Sequence, residues 1–356
     1  MKRIVLTGGG TAGHVTPHLS LIPRLRQEGY DIHYIGTEKG IEHEMIAQIP
    51  DVTYHAVKSG KLRRYFSLQN FTDPFRVVAG AFQSMHLMRK LKPDVLFSKG
   101  GFVSVPVVIG AWLCRVPAVC HESDLTPGLA NRICARFATK VATTFPECAK
   151  ALGAKGVHTG TPLRPELFQG SRAAGLAMAG FDGRKPVLLM TGGSLGAQSV
   201  NKCLRESLPE LLPHMDVLHL CGKGNLDESL AGLKGYCQKE FLSGEMPDAL
   251  AVADLVLSRA GSNTLSELLA LHKPMLLVPY PLSASRGDQI ENAKSYERQG
   301  LARVLMQENM TPRTMTDALL SLLADRDQLL QALKNYPVQD GTDAVLRMID
   351  QAEKRS

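Results

Sequence analysis

Two glycine-rich stretches of this 356-residue chain have the composition of phosphate-binding loops. Residues 7–13 read TGGGTAG and match G-x-G-x-x-G from residue 8, and residues 191–197 read TGGSLGA. Glycines let backbone N–H groups approach a phosphate, and the N-terminus of a following helix stabilises its negative charge. Ser194 adds a hydroxyl donor to the second stretch. A tight strand-to-helix turn without a ligand is the alternative interpretation of that second stretch.

Proton transfer near neutral pH requires a side chain such as histidine. His14 directly follows the first stretch, and an unperturbed pKa of about 6.5 makes it the candidate general base. A histidine at this position equally suits binding a phosphate or orienting the loop. Glu122, in the sequence CHES, is the second candidate for the base.

A string of polar residues within 258–293 has the groups to hydrogen-bond a ribose and a sugar. Glu267 lies three residues after Thr264, which by itself is typical of a capping box at the start of a helix. A capping box leaves most of the string unexplained, because small and amide-bearing side chains recur at the ends of predicted strands. These residues are Arg259, Ser262, Asn263, Asp288, Gln289 and Asn292. We therefore interpret the string as a candidate binding site.

Metal and disulfide chemistry is not indicated. The one D-x-D string, residues 325–327, lies in LLADRDQLLQAL and predicts a solvated helix junction. The seven cysteines are odd in number and include no C-x-x-C pair, which favours free thiols in a reducing compartment. We expect neither a bound metal nor a cofactor.

The candidate residues follow short apolar runs, each closed by Gly, Ser or Thr and followed by a helical pattern. This alternation predicts parallel sheets with helices on both faces. Since the rhythm restarts at KPVLLMTGG, we predict an α/β fold with two Rossmann-like domains facing across a cleft, over residues 1–163 and 164–340. An amphipathic helix over 341–356 is expected to pack on the first domain. Ligands bind beyond the carboxyl ends of the strands in such sheets, so both glycine stretches would line the cleft.

Positive charge is concentrated in the N-terminal half. The net charge of the chain is +7, whereas residues 1–160 hold 20 Lys and Arg against 11 Asp and Glu, a net of +9. Between His55 and Asp94 we predict a helix that begins after Asp73, with Pro74 in its first turn. It has two apolar stripes, Phe75, Val78, Phe82 and Met85, and Val77, Ala81, Met88 and Leu91. The basic residues of this segment are Lys58, Lys61, Arg63, Arg64, Arg76, Arg89, Lys90 and Lys92.

One apolar stripe suffices for packing in the core, and the other, with its basic fringe, suits an anionic membrane surface. A broadly buried helix with a solvated basic rim is the alternative. The longest uncharged run, residues 100–114, is broken by Pro106 and Gly110 and is shorter than the roughly 18 residues of a transmembrane helix. No signal peptide is predicted. We expect a cytoplasmic location, with at most a peripheral attachment to a membrane.

Four motifs over residues 3–305 together resemble the MurG family of bacterial glycosyltransferases: TGGGTAGHVTP, SKGGFVSVP, GGSLGA and RAGSNTLSELLALHKPMLLVPYP with DQIENA. The resemblance implies the GT-B architecture and transfer of N-acetylglucosamine from UDP-N-acetylglucosamine to a lipid-linked muramoyl-pentapeptide, with inversion to a β-1,4 disaccharide. It implies a donor site in the C-terminal domain and an acceptor site in the N-terminal domain, at the cytoplasmic face of the membrane. The basic half then serves an anionic membrane surface, and no nucleic acid is expected. A related transferase acting on diacylglycerol is the alternative.

The resemblance also assigns roles to residues on the donor side. It places Ser194 at the donor pyrophosphate, Glu267 at the ribose hydroxyls and Gln289 at the sugar hydroxyls. Arg164 stands at a nucleotide-sugar contact. The positions implied to enclose the uracil are Leu242, Ser262, Asn263, Thr264 and Leu265, and Ser266 belongs to the same substrate-binding block.

In the N-terminal domain, Thr11, Ala12 and Gly13 match a loop that contacts the sugar. Three positions depart from the usual family sequence. Ala12 stands where many members have glycine, and HESD stands where HEQN is usual, so the amide contact falls to Asp124. Asp288 precedes Gln289 where His or Gln is common, and its role stays open.

Two other classes of protein fit parts of the sequence. A nicotinamide-dependent dehydrogenase would use the glycines of residues 8–13 and Glu38, at the end of the second predicted strand, to bind the ribose. Such an enzyme does not call for a second phosphate loop together with Glu267 and Gln289. A lectin-like or scaffolding protein would bind the nucleotide sugar without transferring or hydrolysing it.

Overall fold

The computed structural model describes residues 2–60, 69–192, 197–242, 244–283, 285, 287–338 and 340–353, with the backbone alone over 69–74. The chain divides into two compact units. The N-terminal unit comprises Met1–Arg164 and Asp340–Ser356, and the C-terminal unit comprises Pro165–Gln339.

The described part of the N-terminal unit contains one sheet of seven parallel strands, in the order β3-β2-β1-β4-β5-β6-β7. The strands are β1 (Arg3–Gly8), β2 (Asp31–Gly36), β3 (Val52–Ala56), β4 (Val95–Gly100), β5 (Ala118–Glu122), β6 (Lys140–Thr143) and β7 (Gly156–His158). The order reverses beside β1, and β1, β4 and β5 are neighbours. Their carboxyl ends therefore lie together at one edge of the sheet, where ligands bind in folds of this kind.

Helices cover both faces of this sheet because side chains alternate along each strand. Ile4 and Leu6 pack in one buried cluster and Val5 in another. The helices are α1 (Thr16–Gln27), α2 (Ile41–Ile46), α3 (Gln69–Leu91), α4 (Ser104–Leu113), α5 (Leu129–Phe137), α6 (Pro146–Ala151) and α14 (Thr342–Ala352), with 3-10 turns at Ala12–His14 and Gly153–Lys155. Helices α1 and α14 belong to the Ile4 cluster, whereas α3, α4 and α5 belong to the Val5 cluster.

The described part of the C-terminal unit contains a six-stranded parallel sheet in the order β10-β9-β8-β11-β12-β13. Its strands are β8 (Val187–Thr191), β9 (Asp216–Leu220), β10 (Tyr236–Lys239), β11 (Leu255–Ser258), β12 (Met275–Leu277) and β13 (Arg303–Val304). Its helices are α7 (Arg172–Ala179), α8 (Gln198–Leu211), α9 (Met246–Val252), α10 (Ser262–Ala270), α11 (Asp288–Arg298), α12 (Pro312–Ala324) and α13 (Arg326–Asn335), with 3-10 turns at Pro165–Gln169, Glu228–Leu230 and Gln307–Asn309.

Two parallel-sheet α/β units confirm the predicted fold class. Each of the seven cysteines is a free thiol, also as predicted. In the parts of the chain that the structure describes, no helix is both long and apolar enough to cross a membrane.

The predicted start of α3 is wrong. The helix begins at Gln69 rather than after Asp73, so Pro74 is its sixth residue. As the sixth residue, the proline lacks the N–H that would donate to the carbonyl of Asn70, since only the first four N–H groups of a helix have no partner within it. The proline therefore does not mark the helix start here.

Candidate functional site

The first glycine loop (residues 8–13) packs closely against its own unit. A Cβ atom on Gly9 would lie 2.5 Å from Cδ of Glu42. Gly10 has a φ of +86°, and a Cβ there would overlap the ring of Phe102. These glycines are required by the fold itself, because protein side chains occupy the space that a larger residue would need.

Glu42 holds this loop in place, and sequence reasoning missed it. Its buried carboxylate accepts hydrogen bonds from the backbone N–H groups of Gly10 and Thr37, both at 3.1 Å, and from the Thr37 hydroxyl. The dehydrogenase hypothesis placed the acid at Glu38 instead. Glu38 lies two residues after β2 ends at Gly36, whereas the buried carboxylate near the glycines belongs to Glu42 and binds protein groups.

His14 lies between the glycine loop and the turn that follows β4. The Gly9 N–H donates to the carbonyl of Gly100 at 3.3 Å, which ties the two turns together. A Cβ on Gly101, whose φ is +84°, would lie 3.0 Å from Cδ2 of His14. His14 is half-buried, whereas Thr11 and Ala12 are exposed beside it. The imidazole is thus packed on the turn at the carboxyl edge of the sheet.

Glu122 ends β5 at the same edge and is only 4% exposed. Its Oε2 accepts a hydrogen bond from Nδ2 of Asn131 at 2.8 Å, and its Oε1 accepts one from the backbone N–H of Asp124 at 2.9 Å. Burial raises the pKa of Glu122, and the nearby charge of Asp124 raises it further. Glu122 therefore fixes the turn that presents the half-buried Asp124.

In the C-terminal unit, α10 begins at Ser262, after Gly261, without a side-chain cap. The capping-box interpretation is wrong, because Thr264 is the third residue of the helix and not the residue before it. Leu265 is fully buried, and the Ser266 hydroxyl donates to the carbonyl of Ser262 at 3.0 Å. Both side chains face the protein.

The same helix leaves Asn263, Thr264 and Glu267 half-exposed. Spacings of three and four residues place these side chains on one face of α10. They lie in the first two turns of the helix, beyond the carboxyl end of β11. This face carries the amide, hydroxyl and carboxylate groups that the hydrogen bonding of a nucleoside requires.

Gln289 connects two loops at this edge of the sheet. Its Oε1 accepts hydrogen bonds from the backbone N–H groups of Ala260 at 3.3 Å and Tyr280 at 3.2 Å. Its Nε2 lies 4.0 Å from the position of a Cβ on Gly261. Asp288 is the first residue of α11, where a carboxylate stabilises the helix dipole.

Arg259 and Asn292, two members of the polar string, are committed to the fold. Nη1 of Arg259 donates to the carbonyls of Val278 at 2.9 Å and Pro279 at 3.3 Å, and the guanidinium lies 4.2 Å from the centre of the Tyr280 ring. Burial lowers the pKa of Arg259. The fully buried Asn292 donates to the carbonyl of Ala260 at 3.3 Å. Both residues shape the loops around Gln289.

The remaining predicted residues fall at separate places. Ser194 lies outside the described residues, as do Gly193, Leu195 and Gly196. Leu242, just beyond β10, and Arg164, the end of the first segment of the N-terminal unit, are half-buried.

The D-x-D string lies at the junction between α12 and α13, as predicted. Asp325 accepts a hydrogen bond from Nη2 of Arg303 at 2.7 Å. Its carboxylate therefore serves an ion pair within the fold.

Comparison with known families agrees with both units. Residues 4–143 match the glycosyltransferase family 28 N-terminal domain, and residues 187–345 match the glycosyltransferase family 28 C-terminal domain. The chain belongs to glycosyltransferase family 28. The prediction of a MurG-like glycosyltransferase is confirmed at this level.

Relatives within family 28 are similar over nearly their whole length. The UDP-N-acetylglucosamine–N-acetylmuramyl-(pentapeptide) pyrophosphoryl-undecaprenol N-acetylglucosamine transferase of Clostridium kluyveri is 52% identical over 351 residues, covering 98% of this chain and 99% of that protein. The transferase of the same name from Geobacillus thermodenitrificans is 52% identical over 349 residues, covering 98% of each chain.

Solved structures share the fold. Acinetobacter baumannii MurG superposes with a TM-score of 0.79 at 26% identity, covering 99% of this chain and 100% of that one. The kitacinnamycin glycosyltransferase has a TM-score of 0.70 at 16% identity, covering 99% of each chain, which shows a common fold alone. Both likenesses agree with the predicted GT-B glycosyltransferase class.

Proposed function

We propose that this family 28 chain transfers N-acetylglucosamine from UDP-N-acetylglucosamine to the 4-hydroxyl of a lipid-linked muramoyl-pentapeptide, in peptidoglycan biosynthesis. The observation that carries the proposal is 52% identity, over 98% of the chain, to relatives named for that reaction. Diacylglycerol, the alternative acceptor, is not favoured by those names.

UDP-sugars carry an α linkage, so a β product requires inversion in a single in-line displacement. The acceptor hydroxyl must lose a proton to a base, and the departing UDP must be stabilised. His14 fits the role of base, because it is half-buried at the carboxyl edge and packed on the turn at Gly101. Glu122 fits it less well, because it is 4% exposed and both of its oxygens already accept N–H hydrogen bonds.

The donor nucleotide is assigned to the C-terminal unit. Glu267, on the exposed face of α10 with Asn263 and Thr264, binds the ribose hydroxyls, and Leu242 flanks the uracil. Oε1 of Gln289 is occupied by two backbone N–H groups, so its Nε2 is the atom that donates to a sugar hydroxyl. Ser194 at the pyrophosphate and Arg164 at a nucleotide-sugar contact stay predictions from the family resemblance.

The family resemblance places the protein at the cytoplasmic face of an anionic membrane, and an apolar surface on α3 supports attachment to a membrane. Phe75 and Phe82 of α3 are 77% and 61% exposed, and Trp112 of α4 is 52% exposed. The two helices pack together, since a Cβ on Gly110 would lie 2.7 Å from the Ser84 Cβ. Val78 is also exposed, so the apolar face of α3 consists of Phe75, Val78 and Phe82. On α4, Leu113 is exposed as well, whereas Trp112 follows Gly110 by two residues and so points away from α3, with its ring centre 5.1 Å from that of Phe137.

The other stripe of α3 is buried at Ala81, Met88 and Leu91. The alternative of a broadly buried α3 is contradicted, because Phe75, Val78 and Phe82 are exposed. Exposed basic side chains of α3 are Arg76, Arg89 and Lys90, and the exposed Lys58 is joined to α3 by the hydrogen bond from its backbone N–H to Oε1 of Gln83. Lys61, Arg63 and Arg64 lie outside the described residues. Apolar side chains with a basic fringe suit an interface of acyl chains and anionic headgroups.

The reaction is tested with radiolabelled UDP-N-acetylglucosamine and a muramoyl-pentapeptide lipid analogue. We expect a labelled β-linked disaccharide-lipid and free UDP. Transfer to diacylglycerol in preference to the muramoyl lipid, or binding of the nucleotide sugar without transfer, would overturn the proposal.

A further inference from the structure

A buried lysine lies beneath the first glycine loop. Lys99 is the penultimate residue of β4, and its side chain is 0% exposed. A Cβ on Gly8 would lie 3.2 Å from the Lys99 Cβ, so the lysine begins directly under the loop. Its ammonium donates a hydrogen bond to Oγ of Ser123, in the turn after β5. Such an ammonium is costly to bury unless nearby anions balance its charge.

Two carboxylates flank Ser123 and balance this charge. Glu122 precedes Ser123 and Asp124 follows it, and both attract the ammonium of Lys99. Burial is the larger effect and lowers the pKa of Lys99 below its ordinary value, while the two carboxylates oppose that change. The lysine in turn opposes the effect of burial on Glu122.

Two buried histidines also face this cluster, His18 from α1 and His121 from β5. Burial and then the charge of Lys99 lower the pKa of both, that of His18 to about 3. Both imidazoles are therefore neutral at pH 7, and they contribute no positive charge. The charge that faces Glu122 and Asp124 from beneath the glycine loop is that of Lys99.

We infer that Lys99 is a positioning residue for the acceptor site, whose ammonium holds Ser123 and balances the carboxylate at Asp124. The inference rests on the proposed function. An amide at position 124, as in HEQN, needs no counter-ion, whereas a carboxylate beside the buried Glu122 does. Lys99 and Asp124 thus act as a pair that presents a carboxylate, an acceptor of hydrogen bonds, to hydroxyl or amide groups of the acceptor.

The pair is tested with Lys99→Met, Asp124→Asn and the double variant. Lys99→Met is expected to raise the KM for the muramoyl lipid by about tenfold, while the KM for UDP-N-acetylglucosamine changes by less than about twofold. Adding Asp124→Asn restores most of the loss, because the neutral amide needs no counter-ion. A packing defect at Lys99 would not be rescued in this way, so a double variant as impaired as Lys99→Met overturns the inference.

Lys140→Met is the matched control, since Lys140 is an exposed lysine of the same unit that donates to the carbonyl of Ala154 at 2.8 Å. Its kinetic constants are expected to equal those of the wild type. Should Lys99→Met fail to fold by circular dichroism, Lys99→Gln takes its place with the same expectations. It keeps an N–H donor, on a side chain one bond shorter, and removes the charge.

A second measurement does not depend on sugar transfer. Carbon-13 NMR of labelled glutamate carboxyl groups follows the titration of Glu122, whose signal is identified by its loss in Glu122→Gln. Lys99→Met is expected to raise the pKa of Glu122 by about one unit or more, because a compensating charge is removed. An unchanged pKa overturns the inference even if the wild type transfers the sugar. Absence of transfer by the wild type would instead contradict the proposed function and leave this titration to decide the role of Lys99.

Discussion

The buried carboxylate of Glu42 accepts a hydrogen bond from the backbone N–H of Gly10 at 3.1 Å, and thereby anchors the first glycine loop to α2. The glycines therefore meet a side chain of their own unit. Although residues 8–13 match a nucleotide-binding fingerprint, packing against Glu42 requires glycine at position 9, and packing against Phe102 requires glycine at position 10.

Glu42→Gln is expected to displace this loop. An amide NH₂ group would face the N–H groups of Gly10 or Thr37, where the carboxylate accepts hydrogen bonds. We expect a loss of about 1–3 kcal/mol in the free energy of unfolding and a fall in kcat of about tenfold or more. Denaturant titration and steady-state kinetics measure both. Glu44→Gln, at an exposed position of the same helix, should change neither; equal behaviour of the two variants would contradict the anchoring role.

His14→Ala should separate turnover from donor binding. If His14 removes the proton from the acceptor hydroxyl, kcat falls by about 10²- to 10⁴-fold, whereas the KM for UDP-N-acetylglucosamine stays within about threefold. Full turnover in His14→Ala, together with lost turnover in Glu122→Gln, would transfer the role of base to Glu122. His214→Ala, an exposed histidine of the C-terminal unit, controls for general effects of the substitution.

The fold class was predictable because nearly continuous apolar runs closed by small residues are typical of parallel strands. The residues at which the helices begin were harder to predict. Pro74 is the sixth residue of α3 rather than a first-turn residue, and Thr264 lies inside α10 although its spacing to Glu267 suited a capping box. Local rules gave the presence of these helices, and tertiary packing decided where they begin.

The site was predictable only in part, because sequence does not report which polar groups the protein itself uses. Nothing in IEHEMI distinguishes the buried Glu42 from a solvated acid in a first helical turn; the contacts with Gly9 and Gly10 do. An arginine such as Arg259 is a residue type that often binds phosphate, yet its guanidinium donates hydrogen bonds to the carbonyls of Val278 and Pro279.

Acid should destabilise the C-terminal unit through His219. This buried histidine hydrogen-bonds the Tyr236 hydroxyl at 2.8 Å and Oδ1 of Asn201 at 3.0 Å, and burial lowers its pKa to about 3. Between that value and the unfolded pKa of about 6.5, the unfolded chain binds a proton that the folded chain does not. Stability is therefore complete above about pH 6.5 and falls as the pH decreases, by about 2 kcal/mol at pH 5.

Denaturant unfolding of wild type and His219→Gln at pH 7 and pH 5 measures this contribution. The variant is less stable at pH 7 but should lose less stability between the two pH values, because glutamine does not titrate. Other buried groups, such as His18, contribute equally to both proteins and cancel in the difference. An equal loss in the two proteins would show that His219 is protonated in the folded state.

Membrane binding should depend on the apolar face of α3. Phe75→Asp with Phe82→Asp removes two exposed rings that would enter the interface, and we expect the partition coefficient on phosphatidylglycerol vesicles to fall by about 100-fold. Binding of the wild type to phosphatidylglycerol vesicles should weaken as the salt concentration rises, and binding to neutral phosphatidylcholine vesicles should be weaker still. The reason is that each basic side chain near an anionic surface contributes about 1 kcal/mol. Sedimentation at low salt measures both. Leu226→Asp, an exposed leucine of the C-terminal unit, should bind as the wild type does; an equal loss there would contradict a specific membrane face.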